Sequence, residues 1–138
     1  MNRRRVTLCT LAFTLATACG SDTATAPVVT SVAGTWTLTS VDGKPLPYVY
    51  QESDPKLEVI AKQYVITSSG TFTTSYTLRG TELDGVVNTT TTPDAGTYTL
   101  ADNSVTFIYR SDGSAVVGQA TASTITISGL LTQVFTKQ

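Results

Sequence analysis

Histidine is absent from all 138 residues. That removes the side chain most used as a general base near neutral pH and the commonest zinc ligand. Ser-His-Asp and Cys-His nucleophilic arrangements are excluded, as are His-based zinc and iron sites. Cysteine occurs only at Cys9 and Cys19, and methionine and tryptophan occur once each. Charged residues are sparse, at 14%. The helix formers Glu, Lys and Met are few. No apolar run reaches the length of about 20 residues that a transmembrane helix needs.

Threonine is abundant instead, at 28 residues. It is β-branched and favours strands. The chemistry available to the chain is therefore narrow, and its backbone preference is extended.

The N-terminus has the three parts of an export signal. Arg3, Arg4 and Arg5 carry the positive charge, and Val6 to Ala18 is apolar or small, broken only by threonines. Ala16-Thr17-Ala18-Cys19 then supplies small residues at a cleavage point. Leu15-Ala16-Thr17-Ala18-Cys19-Gly20 resembles the lipobox of bacterial lipoproteins, with Ala16 where that family prefers leucine. The resemblance implies a signal peptide over 1–18, removed before Cys19, and acyl chains on the Cys19 sulfur. Two or three chains anchor stably where one holds only marginally. The competing reading is an ordinary secretory signal with a chance cysteine. Under lipidation no second thiol remains, so the domain contains no disulfide. Gly20 and Ser21 follow the cysteine. By the same resemblance, no aspartate at that place points to an outer-membrane destination in a cell envelope that has one.

Residues 19–33 read as the lipidated cysteine and a flexible tether rich in Thr, Ala, Ser, Pro and Val. Residues 34–138 make one ordinary domain. Beyond the N-terminal arginines, the 9 basic residues of the chain fall to six, against 10 acidic ones. That balance, without a basic cluster, argues against a nucleic-acid partner.

The domain alternates polar and apolar residues in short runs between turn signals. Gly34 to Val41 puts Trp36 and Leu38 on one face. Asp42-Gly43-Lys44 turns the chain, and Pro45 to Tyr50 is extended. Leu57 to Thr67 changes phase, which predicts a long strand with a bulge near Gln63; a short helix over residues 55–61 is the alternative. Thr71 to Arg79, a weak edge strand at Gly85 to Thr90, and Ala95 to Leu100 follow. Ser104 to Arg110 leads into Ser111-Asp112-Gly113, a hairpin signal. Three more strands span Ala115–Ala120, Ser123–Ser128 and Leu131–Thr136. Eight to ten short strands with short connections predict an all-β, up-and-down antiparallel barrel, since closure removes exposed edges.

Gly34-Thr35-Trp36 and the run on to Asp42-Gly43-Lys44-Pro45-Leu46-Pro47, with Gly96-Thr97-Tyr98-Thr99-Leu100 through Asp112-Gly113-Ser114, resemble the small bacterial lipocalin-like domains of the calycin group. The first stretch also resembles the META-type envelope domain. The lipocalin resemblance implies that Trp36 plugs the closed end of the barrel, beneath a basic residue of the last strand. Lys137 is the only basic residue near the C-terminus, and it falls just after the predicted strand.

Two carboxylate pairs, Glu52/Asp54 and Glu82/Asp84, have a spacing that puts both members on one face of a strand. Both lie in turn-rich loops and read as solvated carboxylates. Asn88-Thr89-Thr90 has the form of a glycosylation sequon, which a bacterial envelope protein has little use for. No catalytic residue, metal site or cofactor is expected. Tyrosines outnumber phenylalanines 6 to 4 and give apolar walls with polar handles. Trp36, Phe72, Tyr76, Tyr98, Phe107 and Tyr109 are the candidate lining of a cavity for a small apolar ligand. The alternative is a filled core in a structural or protein-interaction module.

Overall fold

A computed structural model describes residues 27–138. The expected signal peptide over 1–18, the lipidated Cys19 and most of the expected tether lie outside the described residues. Among those described are ten strands: β1 (Gly34–Val41), β2 (Lys44–Pro45), β3 (Tyr48–Gln51), β4 (Lys56–Ile66), β5 (Thr71–Thr81), β6 (Val87–Ala101), β7 (Ser104–Tyr109), β8 (Ala115–Ala120), β9 (Thr124–Ser128) and β10 (Thr132–Lys137). From β3 to β10 each strand pairs antiparallel with the next. β10 pairs with β1, and β1 pairs with β4, so eight strands close a barrel and β2 and β3 lie outside the ring. The all-β, up-and-down antiparallel barrel expected from the sequence is the fold observed.

Closure is complete at one end only. β1 meets β4 over Gly34–Thr37 against Gln63–Ile66. Beyond that the two strands part. β1 turns at Asp42-Gly43 and pairs with β2, while the first residues of β4 pair with β3. The barrel therefore has a closed end and a splayed mouth.

The strand over 56–66 replaces the helix alternative, because every residue but one is laddered to β5. The bulge is at Ile60, between the Val59–Leu78 and Ala61–Thr77 pairs, and not near Gln63. One unpaired residue there reverses which side chains point inward. The expected weak strand at 85–90 and the strand at 95–100 are one continuous strand, β6. Pro93 does not break it, because β7 reaches only to Gly96, which leaves β6 an open edge where a missing N–H costs no ladder bond.

The closed end is packed solid. Trp36, Tyr64, Phe72, Phe107, Phe135 and Ile125 are all fully buried. The Tyr64 and Phe107 rings stack at 4.8 Å, and Phe72 meets Phe107 edge-on at 5.1 Å. Gly96 permits this: a Cβ there would meet the Ile108 carbonyl oxygen at 1.9 Å and the Phe72 ring at 2.8 Å. Residues 27–33, expected to be part of a loose tether, fold across this end. Val32 is 0% exposed, the Trp36 Nε1–H donates to its carbonyl at 2.7 Å, and the Val29 N–H donates to Asn103 Oδ1 at 2.7 Å.

Lys137 belongs to β10 and pairs with Trp36, because the strand runs one residue past its expected end at Thr136. Its ammonium sits 5.3 Å from the Trp36 ring, a cation–π contact. Gly34, at φ 134°, leaves room for this, because a Cβ would lie 2.9 Å from Lys137 Cε.

Candidate functional site

The splayed mouth opens on a recess of about 420 Å³. Lys62 of β4, Tyr76 of β5, Asp94 of β6, Tyr109 of β7, Val116 of β8 and Gln133 of β10 line it. An adjoining recess of about 370 Å³ shares Lys62, Tyr109, Val116 and Gln133, and adds Ile127 and Leu131. The first gathers more polar side chains, and the second adds apolar ones. A hollow of about 580 Å³ lies on the outer wall, over Gln63, Val65, Thr73 and Ser75, and shares Asp94 and Ser111 with the mouth recess. It is larger and carries Asp94 and Arg110 at its rim, but Gln63, Val65, Thr73 and Ser75 alternate with the inward residues of β4 and β5 and so face away from the barrel interior. The mouth is the better candidate.

Lys62 is the unusual group. The bulge at Ile60 puts it in phase with Tyr64 and Ile66, the inward-facing residues of β4. Its ammonium lies 5.5 Å from the Tyr64 ring centre and 5.8 Å from those of Tyr76 and Phe135. It donates one hydrogen bond, to Gln133 Oε1 at 3.1 Å. Among the described residues no carboxylate is within ion-pairing distance of it, whereas Lys56 and Arg79 both pair with Glu58. Loss of water around Lys62 pushes its pKa down to about 8.

Beneath it, the Tyr64 and Tyr109 hydroxyls hydrogen-bond to each other. Burial raises the pKa of both phenols and that of Tyr76, so all three stay neutral at physiological pH. Across the mouth, Asp94 accepts from Ser111 Oγ at 2.6 Å and from the Ala95 N–H at 2.7 Å. The bond from Ser111 is the main reason its carboxyl lies below the usual range. Asp112 accepts from the Ser114 N–H at 2.9 Å, which lowers its pKa too. Both carboxylates hold the turn between β7 and β8.

The six aromatic residues expected to line a cavity are divided between two places. Tyr76 and Tyr109 line the mouth recess. Phe72 and Phe107 are in the packed core, and Trp36 is at the closed end. Tyr98 also lies toward the closed end, where its hydroxyl donates to the Thr67 carbonyl at 2.8 Å. Lys62 and Gln133 were not singled out by sequence. The signal for Lys62 was the phase change in β4, which gives Lys62 an inward place only if the extra residue precedes it.

The carboxylate pairs serve loops. Asp54 Oδ1 accepts from the Leu83 N–H at 3.1 Å, and Asp84 Oδ1 from the Val86 N–H at 3.0 Å. Among the described residues no group of three or more Cys, Asp or Glu side chains converges as a metal site would require. Among them, too, no helix is long and apolar enough to cross a membrane.

The chain is similar to a lipocalin-like protein of known crystal structure from Bacteroides uniformis ATCC 8492. The identity is 17%, the TM-score 0.43, and the match covers 77% of this chain and 97% of that one. No protein-family model and no curated protein matches the chain.

Proposed function

We propose that this is a binding protein of the cell envelope rather than an enzyme, lipidated at Cys19, whose barrel holds a small molecule in its mouth. The observation that carries the binding reading is the recess of about 420 Å³ at the splayed end, within the size range of ligand sites. Its polar groups converge from five different strands, while the other end is packed shut.

The anchoring reading rests on Arg3, Arg4 and Arg5, the apolar stretch to Ala18, and Cys19 itself. An outer membrane is the destination that Gly20 and Ser21 favour by resemblance. Palmitate labelling in a bacterial host tests it: the full chain takes up label, and Cys19→Ala does not. A chain that takes up no label is not lipidated.

Native mass spectrometry on protein drawn from its own envelope tests the binding reading. The expected result is a retained small-molecule mass that is released on denaturation. No retained mass, together with no uptake of a hydrophobic dye, would count for the second reading. That reading is an interaction module without ligand, and the solid packing of Trp36, Phe72, Phe107 and Phe135 favours it.

A further inference from the structure

The Lys62 ammonium has three N–H donors and spends one of them, on Gln133 Oε1. It stands half-buried among the Tyr64, Tyr76 and Phe135 rings, where a charge is costlier to leave unpaired than in open water. The other charges at the mouth are carboxylates tied into the β7–β8 turn. Asp94 is held by Ser111 and the Ala95 N–H, and Asp112 by the Ser114 N–H. Lys62 is the one cation among the described residues that line the two mouth recesses, and it keeps two donors for a ligand. Next to it, the second recess offers Val116, Ile127 and Leu131 as an apolar wall.

We propose that the mouth selects a monoanionic amphiphile, its acid group on the Lys62 ammonium and its apolar body along Val116, Ile127 and Leu131. This rests on the reading that the mouth binds a ligand, and it names that ligand's class. A single negative charge fits better than two. Asp94 and Asp112 face the same recess, and they repel a second charge placed away from Lys62. An acid group gains charge-assisted hydrogen bonds in a poorly hydrated site, where such bonds are stronger than neutral ones.

The test uses three eight-carbon probes, octanoate, octanol and octylamine, titrated into the full-length protein near pH 7. Octanoate is expected to bind at least about tenfold more tightly than octanol, the worth of one charge-assisted hydrogen bond. In Lys62→Met that preference disappears, because octanoate loses its bond to the ammonium. Lys62→Gln gives the same loss without an added apolar side chain, and circular dichroism confirms that both variants fold. Equal binding of octanoate and octanol, or a preference that survives in both variants, overturns the anion proposal and leaves the binding reading standing. Preference for octylamine overturns it too and moves the selective charge to Asp94 and Asp112. If none of the three binds the folded protein, the amphiphile proposal fails, and the retained mass in the native spectrum decides separately whether the mouth binds a ligand at all.

Discussion

The two ends of this barrel are built from the same strands under different rules. At the closed end β1 and β4 stay paired, the ring is complete, and aromatic residues fill it. At the mouth the same strands part to pair with β2 and β3, and polar side chains, Lys62, Thr74, Asp94 and Gln133, stand beside the apolar Leu38, Val41 and Val59. Along β4 the change comes within a few residues, from Ile66 and Tyr64 to Lys62. Stability is concentrated where the ladder closes, and specificity becomes affordable where it opens.

Truncating one aromatic side chain at each end tests that division. Phe107→Ala removes a ring packed against Tyr64 and Phe72, and is expected to cost about 3–5 kcal/mol. Tyr76→Ala, at the half-buried mouth, is expected to cost about 1 kcal/mol. Urea denaturation of both variants measures the contrast, and equal losses would show that the mouth carries the fold as much as the core does. Gly96→Ala is the next largest effect. Its new methyl would push on the Ile108 carbonyl and the Phe72 ring, an overpacking cost of about 1–3 kcal/mol. The same denaturation curve reads it.

The division also marks what the sequence could disclose. Strand positions were legible, because alternation in Gly34–Val41, Ser104–Tyr109 and Ala115–Ala120 reports burial on one face. The turns at Asp42-Gly43 and Asp112-Gly113 were legible from their residue types. Lys62 was not. Its burial depends on a single unpaired residue, Ile60, and neither propensity nor composition fixes where a bulge falls. The packing of residues 27–33 was hidden for a related reason. Val32 is buried by Trp36 and the barrel end, so its place depends on tertiary contact and not on a local period. A basic partner for Trp36 was implied by resemblance, but Lys137 fell outside the expected strand, which runs one residue further than alternation indicated.

Lys62 tests the division from the mouth side. A desolvated ammonium without a carboxylate is a cost to the folded state. Lys62→Met keeps the length and apolar stem of the side chain and removes the charge. It is expected to raise stability by about 1 kcal/mol at neutral pH, after allowance for water at the mouth. That the same change abolishes the octanoate preference would make Lys62 a group retained for binding at the expense of the fold.

The smallest effect is in the pH profile, and its sign is the informative part. The ordinary lysine pKa is near 10.4, and that of Lys62 is lowered to about 8 in the folded chain. Between these values the unfolded chain holds a proton that the folded chain has released, so raising the pH favours folding. Below about 8 both states are protonated and the full cost of the buried charge is present. The groups facing Lys62 do not reverse this. Tyr64, Tyr76 and Tyr109 have raised pKa values and stay neutral, while Asp94 and Asp112 have lowered ones and stay ionised. The tyrosines act later. Near pH 10 they ionise in the unfolded chain but not in the fold, and stability then falls. The wild-type chain is therefore expected to gain on the order of 1 kcal/mol from neutral pH to about pH 9, then lose stability. Lys62→Met is expected to lose the rise and keep the fall. Thermal melts of both chains from pH 6 to 10.5 separate the two contributions, and a rise that persists in Lys62→Met would assign it to a group other than Lys62.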